Sequence, residues 1–159
     1  MIINIFFTLV LLCILFFISK EDINTKLISE NKLILFALSG FLYLICIGLS
    51  SKRINNIDLI LNNIFSMLII FFILYSIKYI SYKLIRINSL GLGDIKLLSI
   101  SSIWLGIESS LLSIFISFFL SSIYSLHGRI SKKFKTFHQY PFAPFLSIGI
   151  FCSWILDKI

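Results

Sequence analysis

Residues 2–19 read IINIFFTLVLLCILFFIS, an apolar run without a charged side chain. A helix needs about 20 such residues to cross the hydrocarbon core of a bilayer. Lys20 follows the run and no positive residue precedes it, the reverse of a secretory signal peptide. The run therefore predicts a first transmembrane helix.

Further apolar runs repeat this pattern along the chain. Charged residues make up only 13% of the 159 positions, against about 25% in soluble domains. The runs cover residues 2–19, 33–49, 59–77, 97–107, 109–126 and 141–156. The fourth is the shortest, and a helix over it would cross only about half of the hydrocarbon core. The sequence predicts an all-α, polytopic membrane protein of about six transmembrane helices, forming a single domain over residues 1–159.

The basic residues lie at the ends of the apolar runs, so the net charge of +7 indicates a lipid bilayer as partner and no nucleic acid. With six crossings, most Lys and Arg residues fall on one side of the membrane. That side holds Lys20, Lys26, Lys32, Lys78, Lys83, Arg86, Lys96, Arg129, Lys132, Lys133 and Lys135, and the other holds Lys52, Arg53 and Lys158. The positive-inside rule then predicts both termini outside.

Two of the seven acidic residues fall at the same cytoplasmic boundary in this topology, namely Asp22 and Asp94. Taken alone, Asp22 has the pattern of a solvated loop charge, and Asp94 that of a helix N-cap. Taken together, they form a candidate catalytic pair. Two carboxyls that share a site do not both ionise easily, so one retains its proton. A protonated and an ionised carboxyl can activate water and protonate a leaving amine, and peptide hydrolysis by them needs no cofactor and no metal.

Three segments carry a resemblance to a known family. Residues 91–97, GLGDIKL, resemble the GxGDxKL signature of the type IV prepilin peptidases, which are GxGD aspartic membrane proteases. Residues 22–28, DINTKLI, are similar to the segment around that family's first aspartate. Residues 140–146, YPFAPFL, are similar to its late Pro-Phe-Gly-Pro segment. Two positions depart from the pattern, since Ser29 stands where proline is usual and Ala143 where glycine is commoner.

The resemblance implies an aspartic endopeptidase of the plasma membrane with Asp22 and Asp94 as catalytic residues. It would cleave the basic leader from prepilins or from the pseudopilins of secretion systems at the cytoplasmic boundary. Gly91 and Gly93 would leave room for substrate backbone over the carboxylate. Lys96 would bias the protonation of Asp94 or orient the loop, or it would only be a positive anchor at the membrane surface. Larger members carry a cysteine-paired insertion associated with methylation, so a short form implies cleavage alone. The alternatives are a non-catalytic membrane subunit or scaffold and a small transporter.

Overall fold

The computed structural model describes residues 2–50, 56–86, 90–131 and 140–158, and these fold into five α-helices. The helices are α1 (Ile2–Thr25), α2 (Glu30–Ser50), α3 (Asn56–Ile85), α4 (Leu92–Ile130) and α5 (Ala143–Lys158). By length and composition, α1 to α4 can each cross a membrane. The prediction of an all-α, polytopic membrane protein is confirmed. The charges predicted at residues 52, 53, 132, 133 and 135 lie outside the described residues.

The predicted number of about six transmembrane helices is too high for the described part of the chain, for two reasons. The fourth and fifth apolar runs form the two arms of α4, a single helical element interrupted at Gly106, where the backbone is not helical. The sixth run forms α5, whose 16 residues fall short of the length that crosses a bilayer unaided. The six apolar runs therefore correspond to five helical elements in the described residues.

Large apolar side chains point outward from the helices. Phe6, Phe16, Phe72 and Phe115 each expose about 60% or more of their surface. In water such a surface would drive aggregation, whereas lipid tails solvate it at no cost. The exposed surface therefore belongs to a bilayer-embedded protein.

The bend in α4 is at Gly106, whose φ of 74° and ψ of −176° lie outside the helical region. Such a positive φ favours glycine because it has no Cβ. On either side of the bend, α4 contacts the C-terminal end of α5. Trp104 lies 5.6 Å from Trp154 between ring centroids, and the Ser109 hydroxyl donates to Asp157 Oδ1 at 3.2 Å.

The bend divides α4 into a first arm, residues 92–105, and a second arm, residues 107–130. Both arms lead from the bend to the opposite side of the molecule. In the first arm, Asp94 interacts electrostatically with Asp22 of α1. In the second arm, Phe118 packs on Phe142, with 5.4 Å between ring centroids, and the adjacent Ala143 binds Asp22. The chain therefore reverses direction at Gly106, and the second arm returns to the level of the aspartates near Phe118.

An aromatic cluster fills the centre of the bundle. Its rings lie within about 6 Å of one another and come from α1, α2, α4 and α5: Phe7, Phe36, Tyr43, Trp104 and Trp154. The Trp104 indole also donates to the Phe36 carbonyl at 3.0 Å. Gly40 makes room for this indole, since a Cβ there would lie 2.7 Å from its nitrogen. The cluster fixes α4 against α2 and so sets the height of the first arm.

Small residues line the contact between the second arm of α4 and α5. Ser113 and Ser117 are fully buried and face Gly149 of α5. A Cβ on Gly149 would lie 2.6 Å from the Ser113 carbonyl oxygen and would overlap the Ser117 hydroxyl. Small side chains let membrane helices approach closely and gain dispersion contact. This contact holds the start of α5 beside α1, where Asp22 lies.

Candidate active site

Asp22 is buried in the last turns of α1, with 5% of its surface exposed. The helix continues past the apolar run to Thr25 and ends where Lys26 adopts a φ of 55°. Asp22 Oδ2 accepts the backbone N–H of Ala143 at 2.9 Å, and the carboxyl also accepts that of Phe142. These are free donors at the N-terminus of α5, where the helix dipole favours a negative charge. The interpretation of Asp22 as a solvated loop charge is therefore wrong.

Asp94 lies in the first turn of α4 and is half-buried. The N-cap residue is Gly91, and the Asp94 carboxyl reaches back to accept its backbone N–H. This is the reverse bond of a capping box, in which the third helical residue binds the N-cap amide. Asp94 is thus not the N-cap itself, although it does satisfy one donor of the helix end.

Each of the two glycines before Asp94 makes room for a different contact. A Cβ on Gly91 would lie 2.7 Å from Asp94 Oδ2, so a side chain there would collide with the carboxyl. A Cβ on Gly93 would lie 3.3 Å from the Cβ of Ile28, in the connection between α1 and α2. Gly91 lets the carboxyl fold back onto its own helix end, and Gly93 lets α4 pack closely on that connection.

Asp22 and Asp94 lie at the same end of the bundle, close enough for their carboxyls to repel each other electrostatically. The cation that acts on Asp94 is Lys78 of α3. Lys78 lines a surface cleft of about 370 Å³ together with three exposed tyrosines, Tyr75, Tyr79 and Tyr82. The site thus combines two acids from different helices, backbone N–H donors and a nearby positive charge. Sequence reasoning counted Lys78 only as a positive residue of the cytoplasmic side.

Over residues 9–126 the chain matches the type IV leader peptidase family. This range is well over half of the 159 residues and contains both aspartates. The chain belongs to the type IV leader peptidase family. None of the curated proteins and none of the solved structures matches it. Membership makes the chain a membrane protein with a leader-peptidase type of protease role, as the resemblance predicted.

Within this leader peptidase, the late Pro-Phe-Ala-Pro segment lies beside the aspartates although it falls outside the matched residues. Pro141 and Pro144 flank the two residues whose amides bind Asp22. Proline has no N–H, so it cannot add competing donors at this helix end. Ala143, which replaces the commoner glycine, is fully buried and keeps its amide on Asp22. Alanine at position 143, where glycine is commoner, is therefore compatible with the site.

Lys96 is turned away from the pair of acids. Its ammonium forms an ion pair with Glu30 Oε1 at 2.6 Å, which joins the first turns of α4 and α2. Both side chains are substantially exposed, at 45% and 76%. Lys96 thus links two helix ends at the surface.

Metal chemistry has no obvious ligand set here. Across residues 2–50, 56–86, 90–131 and 140–158, no three His, Cys, Asp or Glu side chains come together as a metal site requires. The arrangement of the leader peptidase is suited to acid–base chemistry by two carboxyls in different hydrogen-bonding environments.

Proposed function

We propose that this chain is an aspartic endopeptidase that removes the basic leader from prepilin-like precursors, with Asp22 and Asp94 as its catalytic residues. One observation carries the proposal: Asp22, buried against the start of α5, and Asp94 of α4 lie at the same end of the bundle, close enough to interact electrostatically. A bundle held together for stability alone gains nothing from bringing two carboxyls together in a half-buried place, because each resists losing water.

The reaction needs only water and the two carboxyls. The ionised carboxyl removes a proton from a water molecule as the water oxygen attacks the scissile carbonyl carbon. The protonated carboxyl gives its proton to the leaving nitrogen as the C–N bond breaks. The products are a carboxylic acid on the leader and a free amine on the mature chain, and the next substrate finds one proton still shared by the pair.

The position of the pair suits a substrate with a membrane helix. Peptide bonds inside such a helix are hydrogen-bonded internally and shielded, and they become accessible at its end. The charge asymmetry of the loops favours a cytoplasmic location for Asp22 and Asp94, in the plasma membrane, with both termini outside. A basic leader would then remain in the cytoplasm while the apolar helix that follows lies in the bilayer. Gly91 and Gly93 shape the first turn of α4, where the substrate backbone must pass, and Lys96 links that turn to α2 at the surface.

The test is cleavage of a co-expressed prepilin-like substrate by the wild type, Asp22→Asn and Asp94→Asn. Asn keeps the size of Asp but cannot exchange a proton, so either variant is expected to lose all detectable cleavage. Asp58→Asn is the matched control, since Asp58 is an exposed acid in the first turn of α3, at the opposite end of the bundle. Membrane insertion of each variant is checked by its abundance in washed membranes.

Full cleavage by either Asp22→Asn or Asp94→Asn would refute the two-aspartate mechanism. Failure of the wild type on a panel of prepilins and pseudopilins would instead favour a non-catalytic membrane subunit.

A further inference from the structure

A short connection, residues 26–29, joins α1 to α2 and contacts the turn of α4 that carries Asp94. It begins four residues after Asp22 in a left-handed turn at Lys26. It ends at Ser29, directly before α2. Thr25 braces the turn, because its hydroxyl binds the carbonyls of Glu21 and Leu27 at 2.9 and 3.1 Å. This connection therefore has a defined shape.

Glu21 fastens the far end of the connection back to α1. Its Oε2 atom accepts the backbone N–H of Ser29 at 3.1 Å and the Ser29 hydroxyl at 3.0 Å. Lys32 of α2 approaches the same oxygen at 3.2 Å and also donates to the carbonyl of Phe17 at 3.1 Å. A single carboxylate oxygen thus collects three donors, and we call Glu21, Ser29 and Lys32 the clamp.

The clamp is connected to both aspartates through residues that are adjacent in the chain and through one packing contact. Glu21 precedes Asp22 on α1, so the chain that carries the clamp also carries the first acid. Ile28 precedes Ser29, and its Cβ lies against Gly93, where even an added methyl group would be only 3.3 Å away. Gly93 precedes Asp94. A displacement of Ser29 therefore moves Ile28, and Ile28 moves the turn of α4 that carries the second acid.

We propose that Glu21 and Ser29 are positioning residues, which set the separation of the Asp22 and Asp94 carboxyls by clamping the connection between α1 and α2. Neither residue contacts the reacting atoms in this proposal. The serine gives Glu21 an N–H and a hydroxyl that proline, usual in the family at this place, does not have. The proposal rests on the proposed function for its activity readout only, since its geometric readout is independent of any substrate.

The geometric experiment measures the distance between spin labels on α1 and α4. Labels are attached to Lys20→Cys and Leu92→Cys, two exposed positions, after Cys13, Cys46 and Cys152 have been replaced by serine. Glu21→Ala and Ser29→Pro are expected to shift or broaden the distance distribution. Asn24→Ala, an exposed change in the same last turn of α1, is expected to leave it unchanged. Distributions in both clamp variants that match the control would overturn the proposal.

The activity experiment separates positioning from substrate binding. Glu21→Ala is expected to lower kcat about 10-fold or more at nearly constant KM, because catalysis falls steeply with misplacement of the reacting groups. Glu21→Gln retains an acceptor for Ser29 and is expected to recover part of the rate. Adding Ser29→Ala to Glu21→Ala should cost little more, since both changes break the same contact.

An unchanged kcat in Glu21→Ala, or losses in the double variant that simply multiply, would contradict the clamp. If the wild type cleaves no prepilin, the proposed function fails, and the spin-label distances still decide whether the clamp sets the geometry.

Discussion

Gly91→Ala is the change that best isolates the geometry of the Asp94 carboxyl. The backbone at Gly91 has a φ of −66° and a ψ of 145°, which alanine adopts without strain. The added Cβ would nevertheless lie 2.7 Å from Asp94 Oδ2, where ordinary van der Waals contact begins at 3.4 Å. The carboxyl must therefore move by about 0.7 Å, since dispersion contacts become repulsive at shorter range.

The expected effects on rate and on stability differ widely. A misplacement of about 1 Å costs roughly 100-fold in rate when the displaced group does the chemistry, so kcat should fall about 30- to 100-fold. The free energy of unfolding should change by less than about 1 kcal/mol, because the displaced atom is the end of a side chain that can rotate. A loss of activity without a loss of fold is the signature of this prediction.

The assay is single-turnover cleavage of a prepilin-like substrate by purified protein in lipid nanodiscs, with a thermal unfolding curve for each variant. Leu92→Ala is the control, since Leu92 occupies the next position and exposes 53% of its surface. It shortens a side chain at the same helix end without reaching the carboxyl. The reasoning is refuted if Gly91→Ala cleaves within about threefold of the wild type, or if both variants lose the same activity.

Two other changes probe the contacts around the site. Gly149→Ala should destabilise the protein by roughly 1 to 3 kcal/mol through overpacking, because its Cβ would meet the Ser113 carbonyl at 2.6 Å as well as Ser117; a thermal midpoint equal to that of the wild type would contradict the close α4–α5 contact. Lys96→Gln removes only the exposed pair with Glu30, and exposed ion pairs contribute little to stability. Its unfolding and its cleavage rate should therefore stay near wild type, and a loss of cleavage comparable to that of Asp94→Asn would show that Lys96 takes part in catalysis.

The helices were predictable from the sequence because hydrocarbon accepts little besides a long apolar helix. The ends of the helices were less predictable. Lys20, Glu21 and Asp22 end the first apolar run by composition, yet α1 continues through them to Thr25. Hydropathy indicates which residues lie in the hydrocarbon core of the membrane. A helix ends where its backbone N–H and C=O groups form hydrogen bonds outside the helix.

The positive-inside count and the GLGD segment also predicted that Asp22 and Asp94 form a pair, which stays a prediction. What holds them was not predictable, because it depends on contacts between residues far apart in the chain. The amide of Ala143 reaches Asp22 across 121 positions. No local pattern marks Lys78 as the cation near Asp94, and no pattern identifies Ser29 as a partner of Glu21. Such pairings follow from how α3, α4 and α5 pack, which composition does not encode.

The reversal at Gly106 has a consequence for biogenesis. The backbone at Gly106 is not helical, so the carbonyls just before the bend lack the N–H partners that a continuous helix would supply. Asn63 of α3 takes that place by donating its side-chain amide to the carbonyl of Ile103 at 3.0 Å. During synthesis α3 emerges before α4. The two arms can thus leave the insertion machinery as a helical hairpin. The first arm then finds a hydrogen-bond donor for its end on α3, a helix that has already been inserted.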